Sequence, residues 1–191
     1  IFNVLETLRY EIAIDAAKAS DMVMAFANLM RYSIYYGSTI VPLQTDIEYI
    51  NDYLLLQKMR YNRRLNYHID IPEELMGCKI PKLLLQPVVE NSLVHGMKDI
   101  RSIAINISAW KEKGQLKLCV EDNGSGIREE KLEELRKGLE REDVYREHIG
   151  LYNSHRVVRL LYGPESGMTI ESSPGNGTKV TVTLPADMEE I

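Results

Sequence analysis

The sequence has few cysteines, no long apolar run and no excess of positive charge, and each shortage disfavours a class of protein. The two cysteines, Cys78 and Cys119, lie far apart and outside any CxxC or Cys/His cluster. This arrangement disfavours a structural zinc site and favours a reducing, cytoplasmic compartment. No uninterrupted apolar run reaches the roughly 18 residues that span a bilayer. The net charge of −5 disfavours a nucleic-acid partner.

The residues that are present suit a packed domain. Hydrophobic residues make up 45% and charged residues 27% of the 191 positions, which is enough for one domain and a smaller element. No internal repeat or low-complexity segment appears. The chain opens in mid-pattern at IFNVLETL without a methionine, so we expect it to be part of a longer chain.

The spacing of apolar residues predicts a helical first third. Helical spacing recurs as far as Ile34 and resumes where Thr45 and Glu48 fit a capping box. The period changes to that of a strand near Asn62 to Asn66. We therefore predict a helical region over 1–64, a second domain over 65–187 and a tail over 188–191.

The second domain has a mixed pattern. The predicted strands are 65–71, 102–110, 115–122, 168–173 and 178–184, and the predicted helices are the run from Leu83, kinked at Pro87, then 128–138, ending at Gly138, and 151–163. This order predicts an α+β sandwich of one sheet with helices packed on a single face.

Polar residues interrupt the most apolar stretch of the chain, LLLQPVVENSLVHG, in which Glu90, Asn91 and His95 lie among leucines and valines. Burying such groups is unfavourable unless a partner binds them. On a helix, Asn91, His95 and Lys98 fall on one stripe, with Glu90 beside it. A polar helix edge that faces solvent explains the segment equally well.

Three later motifs combine glycines with the ends of predicted elements. In VEDNGSGI, a strand brings Asp122 to its end, and Gly124 and Gly126 permit positive φ and close approach of a ligand. Gly150 precedes a helix, where backbone N–H groups can face an anion. A third motif, SSPGNGT, precedes the last strand. Taken singly, a turn or a plain helix start explains each motif.

The order and spacing of these motifs resemble the N, G1, G2 and G3 boxes of the GHKL ATPases, over about residues 82–185. That superfamily holds histidine kinases, Hsp90 chaperones, gyrase B-type topoisomerases and MutL proteins. The segments IFNVLETL, LMRYSI and VPLQTDIEYINDYLLLQKMRY look like sensor histidine kinases of the LytS/YesM type. The resemblance thus covers nearly the whole chain and implies a GHKL/Bergerat-type fold, with a mixed sheet of about five strands, behind a helical dimerisation segment.

The resemblance also implies roles for individual residues. Asn91 would coordinate Mg²⁺ on the phosphates of ATP, Asp122 would read adenine, and Glu90 would orient the attacking imidazole. The other residues implied in ATP binding are His95, Lys98, Gly124, Gly126, Ile127, Gly150, Leu151, Asn153, Arg156, Gly175, Gly177 and Thr178. The polar segment from Leu139 to His148 would form a mobile lid over ATP.

As a histidine kinase core, the chain is expected to form a homodimer through its helical region. It would phosphorylate a histidine and pass the phosphoryl group to an aspartate of a response-regulator receiver domain. The family's acceptor motif, P-H-F-[LI]-F-N, would place that histidine two residues before Ile1, so these 191 residues alone are expected not to autophosphorylate. The chain would be the cytoplasmic portion of a membrane-anchored bacterial sensor, without direct membrane contact of its own.

Two alternatives remain open at this point. A serine kinase of the anti-sigma-factor type shares the ATP fold but lacks the helical region. A non-enzymatic dimer or clamp would use ATP only to switch conformation.

Overall fold

The computed structural model describes residues 2–35, 37–97, 100–141 and 149–186. Three helices come first, α1 (Phe2–Ile14), α2 (Ala16–Tyr35) and α3 (Leu43–Tyr61). They pack on one another, and α2 and α3 share a small cluster of buried apolar residues formed by Met22, Ala25 and Leu56. The predicted helical first third is confirmed. None of the helices within these ranges is long and apolar enough to cross a membrane.

The second part of the chain is an α+β unit around one mixed sheet of five strands, as predicted. The strands are β2 (Leu65–Asp70), β4 (Ile103–Glu112), β5 (Gln115–Asp122), β6 (Gly167–Ser172) and β7 (Thr178–Pro185). They lie in the order β2-β4-β5-β7-β6. The pair β2 and β4 is parallel and the other pairs are antiparallel.

Side chains alternate across this sheet, which fixes its covered face. Along β4, Ile103, Ile105 and Ile107 are buried, whereas Asn106 and Trp110 are exposed. The period of two is that of a sheet with one face on the core and the other toward solvent. The helices of this part of the chain are α4 (Gln86–Asn91), α5 (Glu129–Arg141) and α6 (Ile149–Tyr162), with a π-helical turn, Ser92–Gly96, directly after α4.

Two short strands that the sequence did not predict join the helical region to the second part. β1 (Ile40–Pro42) precedes α3 and pairs antiparallel with β3 (Lys79–Pro81), so that Val41 lies opposite Ile80. The predicted capping box is wrong, because α3 begins at Leu43 after Pro42 and no side chain caps it. Because β1 pairs with β3 up to Pro42, α3 begins at Leu43, before the Thr45 position that the capping box predicted.

The apolar run from Leu83 is helical only from Gln86. Leu83 has a φ of 61°, and the buried Asp46 carboxylate of α3 accepts hydrogen bonds from the backbone N–H groups of Leu83 at 2.7 Å and Leu85 at 3.5 Å. Asp46 thereby holds a turn where we predicted helix. The kink predicted at Pro87 is wrong because the proline lies in the first helical turn, where its missing N–H has no helical partner to lose.

The predicted helix end at Gly138 is also wrong, because α5 continues to Arg141. A Cβ at Gly138 would lie 2.7 Å from the ring of Tyr152 on α6. This glycine therefore lets two helices approach closely and does not end one.

Candidate functional site

One cavity lies between the covered face of the sheet and the helices, and it brings together many of the predicted site residues. Its volume is about 50 Å³. Those predicted from the sequence that line it are Asn91, His95, Asp122, Gly126, Ile127, Leu151 and Thr178. A larger cleft of about 400 Å³ lies between α2 and α3, and none of the predicted site residues lines it.

Asp122 is the buried acid of this cavity. It ends β5, is 4% exposed, and lies opposite Thr178 in the β5–β7 pair. Its Oδ1 accepts a hydrogen bond from the Gly124 N–H at 2.9 Å. Burial raises the pKa of this carboxyl, while hydrogen bonds from Ser92, Gly124 and Thr178 oppose that rise. A desolvated acceptor at the end of a strand can recognise a ligand that donates a hydrogen bond.

Asn91 and His95 come from α4 and the π-helical turn that follows it. The Asn91 amide nitrogen donates to the Pro87 carbonyl oxygen at 2.7 Å, which fixes the rotamer of this side chain at the cavity wall. The His95 carbonyl accepts a hydrogen bond from the Ser125 hydroxyl at 3.2 Å, which ties the turn to the loop after β5. Lys98, the third member of the predicted stripe, lies outside the described residues.

The described residues include no group of three or more histidine, cysteine, aspartate or glutamate side chains that could hold a metal ion. An ion that brings its own phosphate and water ligands needs only one or two protein oxygens. The Asn91 amide carries an oxygen of this type, and the side chain lines the cavity. The residues present therefore fit a magnesium ion that arrives with a nucleotide.

The glycines around Asp122 are required by close backbone contacts. Gly126 has a φ of 68°, and a Cβ there would overlap the Ser173 carbonyl oxygen. Gly177 has a φ of 76°, and its Cβ would overlap the Asp122 carbonyl oxygen. Gly124 does not use the positive φ that a glycine permits. Gly124 needs to lack a side chain because a Cβ would lie 2.5 Å from the Cα of Gly96.

The remaining predicted residues lie at the edge of the cavity or beyond it. Gly150 is in the first turn of α6, where a Cβ would lie 2.8 Å from the Pro87 ring, so α6 packs closely on α4 here. Asn153 and Arg156 are exposed on α6. Gly175 forms a turn whose N–H donates to the Ser125 carbonyl at 2.8 Å. Of the predicted lid, residues 142–148 lie outside the described residues.

Sequence reasoning missed several residues of the cavity. Ser92 is buried and hydrogen-bonds Asp122. Gly96 lies against the same carboxylate, since its Cβ would be 3.2 Å from Oδ1. Ser92 directly follows Asn91 and Gly96 directly follows His95 in the sequence. Their position next to predicted site residues was the signal that could have identified them. The apolar walls, Val88, Leu135, Ile170 and Val180, have no signal beyond ordinary core spacing.

Two similar proteins with curated descriptions are sensor kinases. Sensor histidine kinase YesM of Bacillus subtilis (strain 168) is 32% identical over 193 positions, which cover 100% of this chain and 32% of that protein. Sensor protein kinase HptS of Staphylococcus aureus (strain USA300) is 30% identical over 185 positions, which cover 97% of this chain and 36% of that protein. The chain thus spans about a third of the length of these relatives.

Solved structures share the fold at lower identity. The histidine kinase domain of the blue-light activated histidine kinase EL346 of Erythrobacter litoralis matches with a TM-score of 0.55 and 18% identity, over 96% of this chain and 86% of that one. The catalytic domain of histidine kinase ThkA matches with a TM-score of 0.60 and 15% identity, over 79% and 98% of the two chains. Both similarities concern the fold alone.

Two family models match the sequence itself. Residues 1–65 match the model described as histidine kinase. Residues 79–188, more than half of the chain, match the model described as histidine kinase-, DNA gyrase B-, and HSP90-like ATPase. The resemblance inferred from the four motifs is confirmed, and the chain belongs to the family of histidine kinase-, DNA gyrase B- and HSP90-like ATPases.

Proposed function

We propose that this chain is the kinase core of a two-component sensor histidine kinase and that its cavity binds ATP with Mg²⁺. The observation that carries the proposal is the pairing of a buried carboxylate, Asp122, with a side-chain amide, Asn91, on the walls of one cavity. The family matches over residues 1–65 and 79–188 support it.

The Asp122 end of the cavity suits adenine. A carboxylate accepts hydrogen bonds, and adenine offers an exocyclic amine where guanine presents a carbonyl oxygen. Ile127, Ile170 and Val180 supply apolar walls for the ring, and Gly126 leaves its backbone bare beside it. Gly177 and Thr178 would close the adenine side of the cavity. Gly124 and Gly175 would support the loops that carry Gly126 and Gly177.

The Asn91 end suits the phosphates. Asn91 would hold the Mg²⁺ that, when bound, neutralises charge on the triphosphate. The first backbone N–H groups of a helix lack helical partners, so Gly150 and Leu151 in the first turn of α6 suit phosphate oxygens. His95, Lys98, Asn153 and Arg156 are the further polar side chains that we assign to this end.

A nucleotide needs more room than the cavity offers. Its volume of about 50 Å³ is well below the ~300 Å³ at the small end of ligand pockets. Leu135 of α5 and Leu151 of α6 are among the side chains that close it. We therefore expect the α5–α6 side of the cavity to move outward when ATP binds.

In the proposed reaction, an imidazole nitrogen forms a bond to the γ-phosphorus as the bond to the bridging oxygen of ADP breaks. Glu90 would accept a hydrogen bond from the other ring N–H of that imidazole and so orient it. Positioning and charge stabilisation supply most of the catalysis in phosphoryl transfer. The phosphoryl group would then pass to an aspartate of a response-regulator receiver domain.

The helical region supports the further proposal of a homodimer. Ile12, Val23, Met24 and Ile34 are exposed by between 48% and 62% on α1 and α2. Apolar side chains at this density suit contact with a second copy of the chain. We also propose that the whole protein is a membrane-anchored bacterial sensor with this chain on its cytoplasmic side.

Radiolabelled ATP tests the function directly. We expect the full-length protein to acquire acid-labile label and the isolated 191 residues to bind Mg-ATP without label. The histidines of the described residues suit other tasks: His68 lies in β2, His95 lines the cavity, and His155 is buried with its Nδ1 accepting from the Met168 N–H. Acid-stable label would favour the serine kinase, and ATP binding without label in the full-length protein would favour the nucleotide-gated dimer.

A further inference from the structure

A hydrogen-bonded chain connects α3 to Glu90, the residue assigned to orient the imidazole. The Gln86 amide nitrogen donates to Glu90 Oε1 at 2.7 Å, and the Tyr49 hydroxyl donates to Gln86 Oε1 at 2.9 Å. Tyr49 lies 37 positions before Gln86 in the sequence. Glu90 is thus bonded, through one intermediate side chain, to a helix outside the predicted ATP-binding domain.

The chemistry of the three groups leaves one arrangement of these bonds. An ionised carboxylate can only accept, so the Gln86 amide must turn its nitrogen toward Glu90. Its oxygen then faces Tyr49, and the phenol must donate to it. A tyrosine hydroxyl can be a donor or an acceptor in general. Here the Glu90 carboxylate, two hydrogen bonds away, makes the Tyr49 hydroxyl the donor to Gln86.

Tyr49 is well suited to remain the donor. It is 8% exposed, and burial, followed by the charges of Glu90 and Asp46, raises the pKa of its phenol against an opposing hydrogen bond from Ser33. Its ring packs against that of Tyr32 on α2, with centroids 5.0 Å apart. The hydroxyl is therefore protonated and held in place by its surroundings.

The charge of the same carboxylate also acts on a second tyrosine of α3. Tyr53 lies one helical turn after Tyr49, and burial together with the negative charge of Glu90 raises the pKa of its phenol. A lone glutamine four residues before a glutamate would stabilise an exposed helix only slightly. Here the glutamine amide is hydrogen-bonded at both ends, so the Glu90 carboxylate accepts from a group that α3 itself holds in place.

We infer that Gln86 and Tyr49 are positioning residues that aim the Glu90 carboxylate, and that the phosphoryl-transfer part of the site is incomplete without α3. This inference rests on the proposed kinase function, because Glu90 has a task only if an imidazole is presented to it. Neither residue lines the cavity. Their removal should therefore slow phosphoryl transfer while leaving nucleotide affinity unchanged.

The test compares Tyr49→Phe, Gln86→Met and Glu90→Gln in the full-length protein. For each, the rate constant of acid-labile labelling at saturating Mg-ATP and the Kd for ATP are measured. We expect Tyr49→Phe and Gln86→Met to lower the rate constant by roughly tenfold, the effect of losing one hydrogen bond to an oriented group. The Kd should change less than about twofold, because neither substitution removes a contact with the bound nucleotide.

A double-mutant cycle separates positioning from a general structural effect. If Tyr49 acts through Glu90, adding Tyr49→Phe to Glu90→Gln should lower the rate no further. The matched control is Tyr67→Phe, which removes another tyrosine hydroxyl bonded to α3, at 3.4 Å from Asn51 Oδ1, and should leave the rate unchanged. Thermal unfolding of each variant checks that it is folded. If Gln86→Met does not fold, Tyr49→Phe still tests the inference, because it removes only one oxygen atom.

The outcomes distinguish this inference from the function on which it rests. Absence of ATP binding or of acid-labile label in the unmutated protein overturns both. Normal labelling that Tyr49→Phe leaves at the wild-type rate overturns the positioning role alone. A loss that is equally large with Glu90 and with Glu90→Gln also overturns it, because the tyrosine would then act on stability or on another group.

Discussion

Replacement of Asp122 by asparagine should weaken ATP binding without unfolding the protein. The substitution keeps the shape of the side chain but puts an N–H₂ group where the adenine amine also donates. Loss of a buried hydrogen bond to a charged group costs roughly 1.5–3 kcal/mol, which raises the Kd for ATP by about 10- to 150-fold. Selectivity for ATP over GTP should fall as well, since the amide can donate to the guanine oxygen.

The same substitution should change how stability depends on pH. Burial raises the pKa of Asp122 in the folded state above its ordinary value of 3.8, so the folded state holds this proton to a higher pH than the unfolded chain. Its contribution to stability is fully present below the ordinary value and is lost as pH rises through the folded pKa. Asp122→Asn lacks this loss, so its stability relative to wild type should increase as pH rises from about 4 toward neutrality.

Calorimetric titration with ATP and GTP, together with urea unfolding at several pH values, measures both effects. Glu121→Gln is the matched control, because it removes one negative charge from the neighbouring, exposed position of β5. Unchanged ATP affinity in Asp122→Asn would refute the adenine assignment. A stability difference from wild type that stays constant with pH would refute the argument from burial.

Three further expectations concern other parts of the site. Asn91→Ala should weaken nucleotide binding more with Mg²⁺ than with EDTA in a titration, and an equal loss would make Asn91 a structural amide. Gly126→Ala should lower the free energy of unfolding by about 1–3 kcal/mol, because its Cβ would overlap the Ser173 carbonyl; Gly37→Ala, with open space around it, is the control for the urea titration. Asp46→Ala should destabilise by roughly 1–3 kcal/mol for each buried donor that it leaves unpaired, and a smaller loss in Asp46→Asn is expected because the amide keeps one acceptor.

The five strands were predicted well from the sequence, because alternation of buried and exposed residues directly reflects the pleat, whereas the mixed sheet was implied by the family resemblance. Ile103, Ile105 and Ile107 show this on β4. Prediction from the sequence failed where long-range contacts decide local structure. The turn at Leu83 depends on a carboxylate 37 positions earlier in the chain, and no local pattern encodes that bond. Gly138 was wrongly predicted to end α5, because its close packing against Tyr152 of α6 cannot be inferred from the local sequence.

The polar half of the cavity was predictable and the apolar half was not. Asp122 and Asn91 stood out because charged or amide groups beside apolar runs need a reason. Leu135 and Val180 look like any core residue, and their part in the cavity follows from where α5 and β7 happen to lie. The bonds from Tyr49 to Gln86 and on to Glu90 were missed because a domain boundary had been predicted between α3 and β2.

The pairing of β1 with β3 has a practical consequence for anyone who exchanges sensor modules between kinases. A chimera joined near residue 64 would bring β1 from one parent and β3 from the other, and would separate Asp46 from the Leu83 turn that it holds. A junction near Gly37, in the connection between α2 and β1, keeps both pairs within one parent. Grafts made at the earlier position should therefore keep these two contacts, but they divide the cluster of Met22, Ala25 and Leu56 that joins α2 to α3.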